Sequence, residues 1–311
     1  MRKYVFGPVP SRRLGRSLGI DLIPPKTCTF ECRYCQLSST TTLLTQPQSF
    51  YPIEDILAEL HEILNDIDRP DWITLSGAGE PTLHADLGTI IRRIKELHVA
   101  PVCVITNGTL LHLPSVQKAL LPADRVIPTL CTVFPETFTR IHRPAPGIDL
   151  CNTLQGLPRF AAQFQGVLEV EIFVVPGIND TPQEVAGLSR FLSTLPRLAA
   201  VYLNTAVRPP HDASLRPATR EELQQFKNRL ALMVPVTTAL DHQPVPKRLT
   251  RKQQATPEDI LALLLRHPCT IEQLCMVLDQ TPSELQGVLD ELQRQGKITQ
   301  WPDLSWGVAE S

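Results

Sequence analysis

Cys28, Cys32 and Cys35 stand in the run Thr27-Cys28-Thr29-Phe30-Glu31-Cys32-Arg33-Tyr34-Cys35, and no fourth cysteine lies near them. A structural zinc site normally closes its tetrahedron with four protein ligands, and a ferredoxin-type iron–sulfur site also takes four cysteines. Three thiolates on one short loop can instead hold a [4Fe-4S] cluster and leave one iron open to a ligand that reacts. Spacing alone also allows a zinc site completed by a distant histidine, or three unrelated buried thiols.

Tyr34 puts an aromatic ring beside the last thiol, and this C-x3-C-x-aromatic-C pattern resembles the cluster loop of radical S-adenosylmethionine (radical SAM) enzymes in every specified position. The resemblance implies that Cys28, Cys32 and Cys35 ligate a [4Fe-4S] cluster whose open iron is chelated by SAM. It also implies reductive cleavage of SAM to methionine and a 5′-deoxyadenosyl radical that abstracts hydrogen, with an electron donor such as flavodoxin or ferredoxin.

Further motifs follow the cysteines. Ser76-Gly77-Ala78-Gly79-Glu80 sits where the family carries a Gly-Gly-Glu type motif, with Ala78 in place of an often-seen glycine, and glycines let backbone approach a ligand closely. Thr106-Asn107-Gly108 reads as an Asn-Gly turn, and the resemblance implies a polar contact from Asn107 to the methionine moiety or the substrate. Val175-Pro176-Gly177-Ile178-Asn179-Asp180 looks like the family segment whose backbone lies along the adenine, which points to Gly177 and Ile178; Asp180 or Thr181 can equally cap the next helix. Relatives often have a Ser-Leu-Asp-like run where this chain reads Pro128-Thr129-Leu130-Cys131-Thr132. Thr129 is the safer site contact there, and Cys131 is a small buried residue or, facing the site, a hydrogen-atom donor. Arg143 and Arg208 can clamp a carboxylate or phosphate. Glu171, on a strand face with Glu169, can meet a ribose hydroxyl or a cationic group, or simply lie solvated at an edge.

These residues need a scaffold, and the intervening sequence describes one. Short apolar runs at Gly19–Ile23, Trp72–Gly77, Val102–Thr106, Arg125–Leu130, Val167–Val175 and Ala200–Asn204 alternate with segments whose apolar residues recur at three and four, such as Leu87, Ile90, Ile91 and Ile94. Strand–helix units in series predict an α/β fold with a parallel sheet, curled into a partial (β/α)6 TIM-like barrel with ligands at the carboxyl ends of the strands. The Gly- and Pro-rich arm from Gly7 to Gly19 reads as irregular, with arginines able to reach the mouth and meet an anion. With the cluster loop, this arm resembles a branch of the family related to the wyosine-type tRNA-modifying enzymes.

The chain has 311 residues, 42% of them apolar, and a formal charge of −2, enough for a large domain and a small one with no global case for nucleic acid. No signal peptide or membrane span is visible, and the scattered remaining cysteines fit a reducing compartment, so a cytoplasmic location is expected. We expect a core over residues 1–240, a linker over 241–257, and a module over 258–311 that resembles a winged helix-turn-helix. That module carries nine acidic residues against three basic ones, which argues against DNA binding because phosphate contacts dominate such affinity. The expected substrate is a peptide, a protein or tRNA; the alternative is an iron–sulfur or zinc regulator acting through the winged helix.

Overall fold

A computed structural model describes residues 3–37, 39–207, 210–241, 255–301 and 304–309. The chain opens with a hairpin, β1 (Val5–Ser11) and β2 (Gly15–Ile20), followed by the two-residue strands β3 (Thr27–Cys28) and β4 (Thr42–Leu43) that bracket the cysteine loop. There follow α1 (Ile53–Asp66), β5 (Trp72–Leu75), α2 (Leu87–Glu96), β6 (Val102–Thr106), α3 (Pro114–Leu120) and β7 (Arg125–Pro128). Two helices, α4 (Pro135–His142) and α5 (Leu150–Gln163), separate β7 from β8 (Val167–Phe173). The series closes with α6 (Pro182–Leu192), β9 (Leu198–Asn204), α7 (Arg220–Leu230) and β10 (Val236–Thr238).

The principal sheet has the order β1-β2-β5-β6-β7-β8-β9-β10 and is parallel at every pairing except β1 with β2. Its strands are short apolar runs because helices cover them, as buried parallel strands require. The helices turn one stripe inward: Ile56, Leu57, Leu60 and Ile63 of α1 and Leu87, Ile90, Ile91 and Ile94 of α2 are all buried. The expected α/β class with a mostly parallel sheet is therefore observed.

The arm expected to be irregular is instead β1 and β2. Gly7, Pro8 and Pro10 hide the strand because they break its alternation. They are accommodated on an edge, beside a shift of register between Phe6 and Val9, where a missing N–H costs no central ladder bond. Arg12 and Arg13 occupy the turn, folded over Ser11, whose hydroxyl accepts from the Leu14 N–H at 3.2 Å.

Past the described part of the expected linker come α8 (Pro257–Arg266), α9 (Ile271–Leu278), α10 (Pro282–Arg294) and the antiparallel pair β11 (Ile298–Gln300) and β12 (Trp306–Val308). Thr256, Thr270 and Thr281 each close a capping box at a helix start. Residues 242–254, which hold most of the expected linker, and Arg208 lie outside the described residues. The core of this C-terminal unit includes Leu263, Leu274, Leu285, Leu289 and Trp306 and draws in Phe6 and Val9 of β1. Arg266 completes the junction: its Nε donates to Asp21 at 2.9 Å, its Nη1 to the Ala262 carbonyl, and its Nη2 to the Lys3 carbonyl. Both side chains of this ion pair are almost fully buried. Among the described residues no helix is long and apolar enough to cross a membrane.

Candidate active site

The cysteine loop leaves β3 and is laced to the chain after β7. The N–H of Glu31 donates to the His142 carbonyl at 3.0 Å, that of Arg33 to the Ile141 carbonyl at 3.0 Å, and that of Ala145 to the Thr29 carbonyl at 2.9 Å. Arg33 also donates to Asp212 at 2.7 Å, and the His211 N–H to the Cys35 carbonyl at 2.7 Å, so the segment after β9 ties the loop from its other side. The Ser214 hydroxyl and Arg33 hold the Asp212 carboxyl below its usual range. Arg143, expected as a clamp, ends α4 with positive φ and points to Asp212 at 4.0 Å.

Two of the three thiols have a nitrogen turned to sulfur. Nδ1 of His142 lies 3.2 Å from Cys32 Sγ, and Nδ2 of Asn107 lies 3.5 Å from Cys28 Sγ. Burial, with the Glu80 charge adding to it, pushes the bare Cys28 thiol up to about 12, and burial does the same in direction to Cys32 and Cys35. Such thiols become anions only when a metal takes the proton's place. Among the described residues no three His, Cys, Asp or Glu side chains converge on a point that a single ion could fill. A cluster, which separates its thiolates onto different irons, fits this donor set better than zinc does.

The loop after β5 wraps against the cysteine strand. Glu80 N–H donates to the Thr27 carbonyl at 3.1 Å, Lys26 N–H to the Ala78 carbonyl at 2.5 Å, and Ala78 N–H to Asp21 at 3.1 Å. A Cβ on Gly79 would run into the Thr27 carbonyl, and one on Gly77 into the Asp21 carboxylate, so both positions need glycine for closeness. Ala78 has both backbone groups engaged and is buried, which leaves Gly77 and Gly79 as the backbone open to a ligand.

Glu80 is a buried hub. It accepts from Thr82 N–H at 3.0 Å, the Thr82 hydroxyl at 2.5 Å, the Thr106 hydroxyl at 2.6 Å and Asn107 N–H at 2.7 Å. Burial pushes its carboxyl up, against these donors. Asn107 in turn donates to the Thr29 hydroxyl at 2.7 Å and accepts from Thr109, making it a strut between β6 and the cysteine loop.

Thr129 is half-buried and donates its N–H to the Thr106 carbonyl at 2.9 Å. Cys131 lies in an apolar cluster with Phe173, Val175 and Ile178, against which Tyr34 packs. The Tyr34 ring stacks on Phe173 at 4.0 Å, and its hydroxyl is 3.6 Å from Cys131 Sγ. Burial pushes the Cys131 thiol up to about 12, so it stays protonated at neutral pH. Gly177 is exposed with φ +76°, and its N–H donates to Asp180 at 2.8 Å, while Thr181 caps α6. Asn179 is fully buried and clamps β7 to β8 by donating to the Cys131 and Phe173 carbonyls at 2.9 Å each.

Glu171 is neither solvated nor open to a cation from outside: Arg13 pairs with it at 2.8 Å and Asn204 donates to it at 3.4 Å. Glu169 pairs with Arg125 at 3.6 Å. Sequence reasoning passed over His142, Asp212 and the Asp21–Arg266 pair. A histidine in line with the buried Phe138 and Ile141 of an amphipathic helix is the one local signal, since the other partners are far apart in sequence.

The model of the Radical SAM superfamily matches residues 22–189. A Brachyspira hyodysenteriae protein named GTPase Obg is 35% identical over 300 residues, covering 95% of this chain, while the chain spans only 43% of that protein's length. A UPF0026 protein of Synechocystis is 40% identical over 208 residues, which cover 66% of this chain and 76% of that protein. Among solved structures, a radical SAM methyltransferase from Sphaerobacter thermophilus superposes with a TM-score of 0.55 at 17% identity, over 71% of this chain and 65% of its own.

Proposed function

Since the chain belongs to the radical SAM superfamily, and is thereby an enzyme that uses a [4Fe-4S] cluster and SAM, we propose that Cys28, Cys32 and Cys35 are its cluster ligands. The observation that carries this is the loop of three half-buried thiols, two with a nitrogen turned to sulfur, laced to the end of α4 and to the segment after β9. When bound, the cluster and SAM supply reductive cleavage to methionine and a 5′-deoxyadenosyl radical that takes hydrogen from a substrate.

The chain's own residues do the positioning. Gly77 and Gly79 bring backbone to the methionyl group, Ala78 and Glu80 hold that loop, and Asn107 and Thr129 fix the neighbouring strand ends. Gly177 and Ile178 offer backbone and an apolar wall for the adenine, with Tyr34 and Phe173 behind. Cys131, protonated and beside the Tyr34 hydroxyl, is the candidate hydrogen-atom donor.

We read the sheet as a partial (β/α)6 barrel, because one cavity touches β2, β5, β6 and β9, strands that are not all neighbours in the sheet. Residues 1–240, 241–257 and 258–311 form core, linker and C-terminal module in this reading. The three helices and strand pair of the module are compatible with a winged helix, and its acidic surface disfavours DNA. Radical SAM enzymes need a reductant, and flavodoxin or ferredoxin in a cytoplasmic setting would serve.

Anaerobic reconstitution followed by dithionite and SAM tests the proposal. Wild-type protein should release 5′-deoxyadenosine, and Cys28→Ala, Cys32→Ala and Cys35→Ala should each lose both cluster absorbance and product. Intact cluster absorbance without 5′-deoxyadenosine would sink it.

A further inference from the structure

Between the β1–β2 turn, the inner face of the sheet and α9 lies a cavity of about 350 Å³, within the range of small-molecule sites. Its described lining includes Arg12, Arg13 and Arg266 and no aspartate or glutamate. Arg266 is neutralised by Asp21 and Arg13 by Glu171, whereas Arg12 bonds the uncharged Tyr202 hydroxyl. The Arg13 guanidinium lies 4.5 Å over the Tyr202 ring, and its Nη1 is buried without a hydrogen-bond partner. An orphaned donor on a charged group is costly, and an oxyanion is the partner a guanidinium fork matches best. Ser17, Thr74, Asn204 and Gln273 also line the cavity, with the Ser17 and Thr74 hydroxyls bonded to each other at 2.6 Å.

The cavity shares Gly77 with the residues proposed to position SAM and reaches Gln36, the neighbour of Cys35. A molecule seated there would lie against the cofactor. The C-terminal unit contributes Arg266, Gln273 and Met276 to the lining, so it forms one wall of the chamber.

We propose that this cavity is the substrate chamber, and that the substrate is a small molecule whose carboxylate or phosphate sits on Arg12 and Arg13, with α9 as the lid wall. The inference rests on the radical SAM reading for the chemistry, and on the orphaned Arg13 nitrogen and the lining charge for the ligand class. A volume this small excludes a folded protein or a tRNA body from the interior.

The test is calorimetric titration of the cluster-reconstituted 311-residue chain with inorganic phosphate and, separately, with acetate, to tell the two oxyanions apart. Saturable binding of one of them, weakened about tenfold or more in Arg13→Gln and partly kept in Arg13→Lys, is the expected result. Should Arg13→Gln lose its cooperative melt, Gln273→Glu decides instead by the same criterion. That change keeps the N3 position of the α9 capping box and adds a negative charge to the wall. Binding of neither anion, equal binding by the deciding variant, or binding of tRNA or peptide alone overturns the proposal. Formation of 5′-deoxyadenosine in the same preparation without added anion reads the radical SAM assignment separately.

Discussion

Nδ1 of His142 sits 3.2 Å from Sγ of Cys32, and its ring stacks on Phe30 at 4.4 Å, so the imidazole is held between an aromatic face and a proposed cluster ligand. Burial pushes this imidazole down to about 3. A thiolate can only accept, so facing one, Nδ1 carries a proton and donates it. Hydrogen bonds to cluster sulfurs raise the reduction potential by stabilising the more negative, reduced state.

His142→Phe keeps the stack on Phe30 and deletes the donor. The cluster midpoint should then fall by about 40 mV, corresponding to about 1 kcal/mol for one electron. Redox titration followed by electron paramagnetic resonance reads this shift. An unchanged midpoint with an assembled cluster would reduce His142 to a packing residue.

Arg266 and Asp21 are 245 positions apart and form a buried pair that joins the C-terminal unit to the loop carrying Gly77 and Ala78. Arg266→Ala leaves a buried carboxylate unpaired and should cost about 3–5 kcal/mol, read by chemical denaturation. Asp21→Asn with Arg266→Met should recover most of that loss. Burial already pushes the Asp21 carboxyl above its ordinary value of 3.8, with Arg266 opposing. Without Arg266 the upward shift grows, so the folded state holds that proton more tightly than the unfolded one. The single variant should therefore gain stability relative to wild type as pH falls through the raised folded value towards 3.8. A pH-independent difference between the two proteins would contradict this account.

The alternation of apolar runs with three-and-four periodicity was enough to anticipate the parallel sheet, because buried strands and one-sided helices write their environment locally. Val102–Thr106 matches its strand to the residue, whereas the run Gly19–Ile23 starts four residues late, since the strand opens on exposed Gly15 and half-buried Arg16, which carry no apolar signal. β1 was illegible because its prolines speak against a strand unless an edge is available, and edges are a property of the assembled sheet. The three cysteines and the glycine loop were legible by spacing. What surrounds them was not: His142 reaches Cys32 across 110 positions and Arg13 reaches Glu171 across the sheet, pairings that leave no mark in either local sequence. Glu169 and Glu171 show the same limit, since two carboxylates on one strand face read equally as ligand contacts or as solvated edge groups until their arginines are seen.

Glu80 ties three loops together, and its two oxygens have different duties: Oε1 takes the Thr82 and Thr106 donors, and Oε2 takes Asn107 N–H alone. Glu80→Gln can keep its amide oxygen on the three-donor side only by turning its NH2 toward the Asn107 N–H, where two donors meet and one is orphaned. The loss should be about 1–3 kcal/mol in folding stability. Because Asn107 is the strut that reaches Thr29 and Cys28, the β6 end should loosen relative to the cysteine loop, and SAM should bind more weakly while cluster absorbance is retained. Equilibrium SAM binding to reconstituted protein, measured beside a denaturation curve, separates the two effects. Weaker SAM binding by Glu80→Gln, at a temperature where the variant is fully folded, supports a positioning role. Unchanged SAM affinity with the predicted stability loss would leave Glu80 a scaffold residue and shift the burden of holding SAM to the backbone of Gly77 and Gly79.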